Sequence, residues 1–196
     1  MPVNTERPTA AGRLALPCAP AQVDDWLGEP AAGVIACVVR HPGPFVVLGA
    51  GGKLGLHLCM MLKRALVAGG RDDAVIAVSR FRTLRDRGEF VRRGIEARSA
   101  DLTDAALVAA LPEAPTVFFL AGVKFGTASQ PELLAAVNER MPQMVAERYR
   151  RSRIVAFSTG CVYPFVTPES GGATEATPPA PPGAYARSCL ERERAF

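Results

Sequence analysis

Short apolar runs alternate with longer stretches of helical period along most of the chain. Residues 45–48 read Phe, Val, Val, Leu without interruption, which by length and β-branched content is a buried strand. Residues 74–79 repeat the pattern, 94–100 more faintly, and 116–120 and 153–158 bring the expected strands to five. Between them, apolar residues recur every three or four positions at 54–68, 81–92, 103–111 and 130–150. That is the spacing of a helix with one face on a core. Strands joined by helices pair in parallel, because such a connection has to cross the sheet. The fold class expected is α/β, a doubly wound parallel sheet with helices on both faces.

The segments outside this alternation set the domain limits. Residues 1–21 are a Pro- and Ala-rich arm, and 22–40 read as a helix broken near Gly28, Glu29 and Pro30. A turn at 41–44 follows. We therefore divide the chain into an arm and helix at 1–43 and a sheet domain at 44–196. The early helix fits either a contact between copies of the chain, as in a homo-oligomer, or a cover for the sheet. Residues 164–183 are rich in Pro, Gly, Thr and Ala and form a long loop, the kind that serves as a lid or substrate loop.

The first strand runs through Gly49, Gly52 and Gly55 straight into the helical pattern of 54–68. A dinucleotide pyrophosphate needs a tight turn, an approach free of side chains, and a helix whose N-terminus points at the anion. The spacing is GxxGxxG rather than the commoner GxGxxG. A glycine loop that only turns the chain is the alternative, and the strand before and helix after favour the cofactor. The expected cofactor-binding set here is Gly49, Gly52, Lys53, Leu54 and Gly55.

Composition narrows the classes. At 196 residues the chain is one domain by size, and 48% apolar content argues against disorder. No apolar run approaches the ~20 residues that cross a bilayer, and the first residues lack a signal-peptide layout. The expected location is the cytoplasm, with no membrane partner. The five cysteines contain no CxxC pair, so no metal is expected and the thiols should be reduced. The net charge of +4 rests on basic residues spread along the chain, apart from a knot at Arg80, Arg82, Arg85, Arg87, Arg92 and Arg93. With only Phe81 and Phe90 interleaved, the knot reads as a solvated helix surface, and no nucleic-acid partner is expected.

Taken in order, Gly49, Gly52 and Gly55, then Asp101 and Leu102, then Leu120, Ala121 and Gly122, then Asn138, the STGCVY segment at 158–163 and the YARS segment at 185–188 resemble the extended short-chain dehydrogenase/reductases. These form the NAD-dependent epimerase/dehydratase group, many of which act on nucleotide sugars. The resemblance runs from about residue 45 to the C-terminus. It implies a Rossmann fold, an NAD or NADP cofactor, and hydride transfer at a carbinol or carbonyl carbon of a small polar substrate. It implies Tyr185 as the acid/base and Thr159 as the hydroxyl that bonds the reacting oxygen. It places Asp101 and Leu102 beside the adenine, adds Ala121 and Gly122 to the cofactor set, and gives Asn138 a part in holding the proton relay. Hydride chemistry asks for the same pair, a group that shuttles the hydroxyl proton and a donor that steadies the oxygen. The alternatives are local. Thr159 would cap its own turn, Tyr185 would pack under the loop, and Asp101 would cap the helix at 103–111.

The chain departs from the family motif YxxxK, for the fourth residue after Tyr185 is Cys189. The family's lysine lowers the tyrosine pKa and holds the cofactor ribose. A free tyrosine titrates near ~10, so reaching neutral pH takes about 3 units, or roughly 4 kcal/mol. A thiol cannot supply that field. Lys124, after the fourth strand, is the candidate substitute, and a solvated loop lysine is its alternative. At the end of the second strand, Ser79 and Arg80 stand where NAD-preferring proteins carry a carboxylate. Arg80, with Arg82 and Lys53 near, makes NADP the slightly preferred cofactor. Family members also continue well beyond the tyrosine helix, whereas this sequence stops at Phe196. A fragment with an open sheet edge is expected, unless a partner chain completes it. A non-catalytic dinucleotide sensor and an inactive fragment therefore stand beside the enzyme reading.

Overall fold

The computed structural model describes residues 16–82, 84–124 and 129–196. Five strands, β1 (Phe45–Leu48), β2 (Val75–Ser79), β3 (Glu96–Ser99), β4 (Thr116–Phe119) and β5 (Arg153–Ala156), form one sheet in the order β3-β2-β1-β4-β5. Every neighbouring pair is parallel, with Leu48 in register with Val78 on one side and Phe119 on the other. The chain thus reverses its winding direction at β1, and a crevice opens there between β1 and β4.

Period-2 alternation assigns the two faces. Phe45 and Val47 enter one core with Leu56, Cys59 and Leu66 of α3 (Gly55–Ala68). Val46 and Leu48 enter the other with Val108 of α5 (Ala105–Ala109) and Met141 and Val145 of α7 (Met141–Arg148). Because β1 is covered on both faces, all four of its residues are buried, each contributing about 1.5–3 kcal/mol. The expected doubly wound sheet is what forms.

Several helices begin later than periodicity suggests, because capping decides the start. The pattern at 81–92 gives only α4 (Arg87–Val91). Phe81 has left-handed φ of 49°, and Asp86 closes a capping box with Glu89. The pattern at 103–111 gives α5, capped by Asp104 through the N–H groups of Ala106 and Leu107. Asp101 is therefore not that helix's cap. The pattern at 130–150 divides into α6 (Pro131–Ala135), a π-helical turn (Ala136–Arg140) and α7. Pro142, in the first turn of α7, has no N–H to donate and crowds the carbonyl four residues back. Widening to a π turn at Asn138 accommodates both.

The early helix is broken as expected, into α1 (Val23–Leu27) and α2 (Ala32–Val38), and both pack on α3 of the same chain. Residues 1–15 of the arm lie outside the described set. Asp24 of α1 accepts from Arg85 at 2.7 Å and meets His57 Nε2 of α3 at 2.8 Å, tying three elements together. The Arg85 guanidinium, with His57 behind it, holds the Asp24 carboxyl down at about 2. A depressed carboxylate stabilises the fold above its unfolded pKa and loses that contribution as pH falls through the folded one. Asp24→Asn should therefore cost about 1–2 kcal/mol at pH 6 in urea denaturation. The gap between variant and wild type should shrink between pH 4 and pH 2. A gap constant across that range would show that the carboxylate charge is not what holds α1.

β5 lies at one edge of the sheet, with Val155 and Phe157 each about two-fifths exposed. The long loop at 164–183 leads from it to α8 (Gly183–Ala195), with one 3-10 turn at Pro168–Ser170. Among the described residues, no helix is long and apolar enough to cross a membrane.

Candidate active site

The crevice at the C-terminal ends of β1, β2 and β4 has a volume of about 250 Å³. Gly49, Gly52, Ser79, Arg80, Asp101, Leu102, Ala121 and Gly122, all singled out in the sequence, line it. Arg82, expected near Arg80, lines it too, and so do Gly51, Phe81 and Thr103, which were not singled out for it.

Gly49 makes the turn. Its φ of +82° suits only glycine, and a Cβ there would stand 2.6 Å from the Ala121 nitrogen. Gly55 does different work, since a Cβ on it would lie 2.1 Å from the Ala50 carbonyl oxygen. It lets α3 close onto β1 and does not face the crevice. Lys53 and Leu54 are exposed and do not line the cavity. Leu54, at the N-cap of α3, offers no side-chain acceptor to the helix. The first N–H groups of this 14-residue helix therefore receive no side-chain cap from it.

One end of the crevice is arranged around Asp101. Its Oδ1 accepts from the Thr103 amide at 3.0 Å and the Thr103 hydroxyl at 2.7 Å, so it shapes an Asx turn. Its Oδ2 lies 3.6 Å from Arg80 Nη1. The Thr103 bonds, then Arg80, hold this carboxyl below the usual range. Arg80 therefore faces the cavity with a carboxylate at its side.

Asn138 is fully buried in the π turn and does not line the crevice. Its Oδ1 accepts from the Val123 amide and its Nδ2 donates to the Val123 carbonyl, both at 2.9 Å. Nδ2 also donates to Ser188 Oγ at 3.1 Å. One side chain thus pins the segment after β4 to α8.

Thr159 and Tyr185 lie outside the crevice lining. Thr159 Oγ1 accepts from the Cys161 amide at 3.3 Å and caps the 3-10 turn Gly160–Val162, the local role its position allowed. It lines a second hollow with Tyr163, Arg192 and Glu193. Tyr185, in the first turn of α8, is half-buried. Lys124 Nζ sits 5.4 Å from the centroid of its ring, within cation–π range. Burial, followed by a hydrogen bond with Cys189, pushes the Tyr185 phenol up to about 12.

These residues fit a dinucleotide. The cradle at Gly52 would be narrowed by any Cβ, the start of α3 has no side-chain cap, and Arg80 and Arg82 line the cavity. Sequence reasoning missed Arg192, whose side chain is buried against Gly122. The available signal was its place two helical turns after Tyr185.

The NAD dependent epimerase/dehydratase family matches residues 45–195. No curated protein matches the chain. Among solved structures, MoeE5 in complex with UDP-glucose and NAD is 27% identical, with a TM-score of 0.60 over 78% of this chain and 48% of that one. The UDP-Glc/GlcNAc 4-epimerase from the human pathogen Campylobacter jejuni is 20% identical, with a TM-score of 0.63 over 76% and 46%. The Bordetella bronchiseptica enzyme WbmG, in complex with NAD and UDP, is 21% identical, with a TM-score of 0.62 over 77% and 48%. The last two bear on the fold alone. The chain spans about half the length of the structures it matches.

Proposed function

Since the chain belongs to the NAD-dependent epimerase/dehydratase family over residues 45–195, we propose that it is the dinucleotide-binding part of an enzyme that moves hydride at a carbinol or carbonyl carbon of a nucleotide sugar. The glycine cradle between β1 and α3 carries this reading. The backbone at Gly52 and the first turn of α3 take the pyrophosphate, Ser79, Arg80, Asp101 and Leu102 take the adenosine end, and Ala121 and Gly122 floor the path toward Thr159 and Tyr185. The bound nicotinamide supplies the hydride acceptor or donor. Tyr185 carries the substrate hydroxyl proton, and Thr159 steadies the same oxygen through its hydroxyl hydrogen. Lys124, over the Tyr185 ring, adds positive charge beside the proton carrier. MoeE5 in complex with UDP-glucose supports a nucleotide-sugar substrate.

A second reading, a non-catalytic dinucleotide sensor, draws on the high Tyr185 pKa. It shares the cradle and differs only at the tyrosine.

Arg80 favours NADP, and Asp101 tempers that preference. A charge-assisted contact to the 2′-phosphate contributes about 1.5–3 kcal/mol, roughly one to two orders of magnitude in affinity. Paired calorimetric titrations with NADH and NADPH test the whole proposal. Absence of binding to either defeats it, and equal affinities defeat the NADP preference. Asp101→Asn removes the competing carboxylate and should raise the NADPH-to-NADH affinity ratio by about tenfold. An unchanged ratio would place Arg80 away from the phosphate.

A further inference from the structure

Position 189 carries a thiol where the YxxxK pattern has an ammonium, and that thiol is fully buried. One turn further along α8, the chain buries a cation. Arg192 is only 6% exposed. Among the described residues it forms no ion pair, and its Nε has no hydrogen-bond partner. An arginine buried without a carboxylate costs the fold stability and calls for a reason. Its guanidinium lies against the end of β4, where an atom at the Cβ position of Gly122 would be 2.6 Å from Nη1. Gly122 belongs to the dinucleotide crevice, and Arg192 also lines the hollow that holds Thr159 and Tyr163. The guanidinium therefore stands in the wall between the two cavities. Ser188, Cys189 and Arg192 share the buried face of α8, and the seven-residue step from Tyr185 to Arg192 keeps them on one side of the helix.

We propose that Arg192 is a positioning residue that supplies, from one turn further along α8, the positive charge that Cys189 cannot place beside Tyr185. This rests on the reading of Tyr185 as the proton carrier. The other groups bearing on Tyr185 are Cys189 on the same helix, Cys161 after β5 and Lys124 after β4. The two thiols act against the phenolate, and Arg192 acts for it. Lys124 faces the ring rather than the buried side of α8. The chain has thus moved a cation three residues along one helix face while keeping its field on the tyrosine.

The test places a difluorotyrosine at position 185, which brings the phenol into a pH range the fold survives, and follows its ionisation by fluorine NMR without any dinucleotide. Arg192→Met should raise the midpoint by about one pH unit or more. Adding Cys189→Lys to that variant should bring the midpoint back to the starting value or below. Arg192→Met should also melt at the same temperature as the parent or higher, since it removes an unpaired buried charge, whereas a structural arginine would lower it. If Arg192→Met does not fold, Arg192→Gln takes its place with the same expected rise. An unchanged midpoint in either folded variant overturns the proposal. Failure of the parent chain to bind NADH or NADPH defeats the function proposed above instead, so the two failures are distinguishable.

Discussion

Gly52→Ala should weaken dinucleotide binding by about tenfold to a hundredfold, or ~1.4–2.8 kcal/mol, while leaving the fold close to wild type. A Cβ at this position meets only the Gly49 carbonyl oxygen, at 3.4 Å, so the protein has room for it. The methyl instead narrows the space where a phosphate oxygen approaches the backbone. Gly55→Ala should give the reverse result. Its Cβ would lie 2.1 Å from the Ala50 oxygen and 2.4 Å from the Ala50 Cα, and neither backbone atom can move without parting α3 from β1. That variant should lose about 3 kcal/mol of stability in urea denaturation, with any loss of binding following from the fold. Two glycines of one motif thus separate ligand from scaffold. Unchanged NADH and NADPH affinity in Gly52→Ala would mean that the loop merely turns the chain.

The architecture was legible because its signal is periodic. An uninterrupted apolar run of strand length, such as 45–48, reads as a strand covered on both faces, and helical stretches between strands imply parallel pairing. Helix starts were less legible, since they depend on single side chains. Asp86 and Asp104 cap where periodicity alone begins earlier, and Pro142 converts an apparently regular helix into one with a π turn. In the site, residues whose role lies in the backbone were found by spacing, as with Gly49 and Gly52. Residues whose role depends on a tertiary partner were not. The Asp24 link to His57 and Arg85 joins positions 33 and 61 residues apart, beyond any local pattern. Asn138 was marked by the family pattern, and its partners, Val123 and Ser188, emerge only when β4 and α8 meet. Arg192 was one of the basic residues spread along the chain, and its burial is a property of the fold.

Tyr185→Phe should lower hydride transfer on a nucleotide-sugar substrate by about 10²–10⁴-fold and leave dinucleotide affinity within about twofold. The proton carrier acts on the substrate oxygen, whereas the cradle is built from other residues, so chemistry and binding should separate. The pH profile gives the sign. With the phenol held up at about 12, almost all of it is protonated at neutral pH. Reduction of a carbonyl, which needs an acid, should then be nearly flat between pH 6 and pH 9. Oxidation of a carbinol needs the phenolate and should climb by about tenfold per pH unit over the same range. A sensor would show no transfer in either direction, with binding equal in wild type and Tyr185→Phe. An oxidation rate that levels near pH 7 would mean that nearby cations, Lys124 over the ring or Arg192 further along α8, outweigh burial and Cys189 once substrate is bound. In that event the missing lysine has been replaced in full rather than in part.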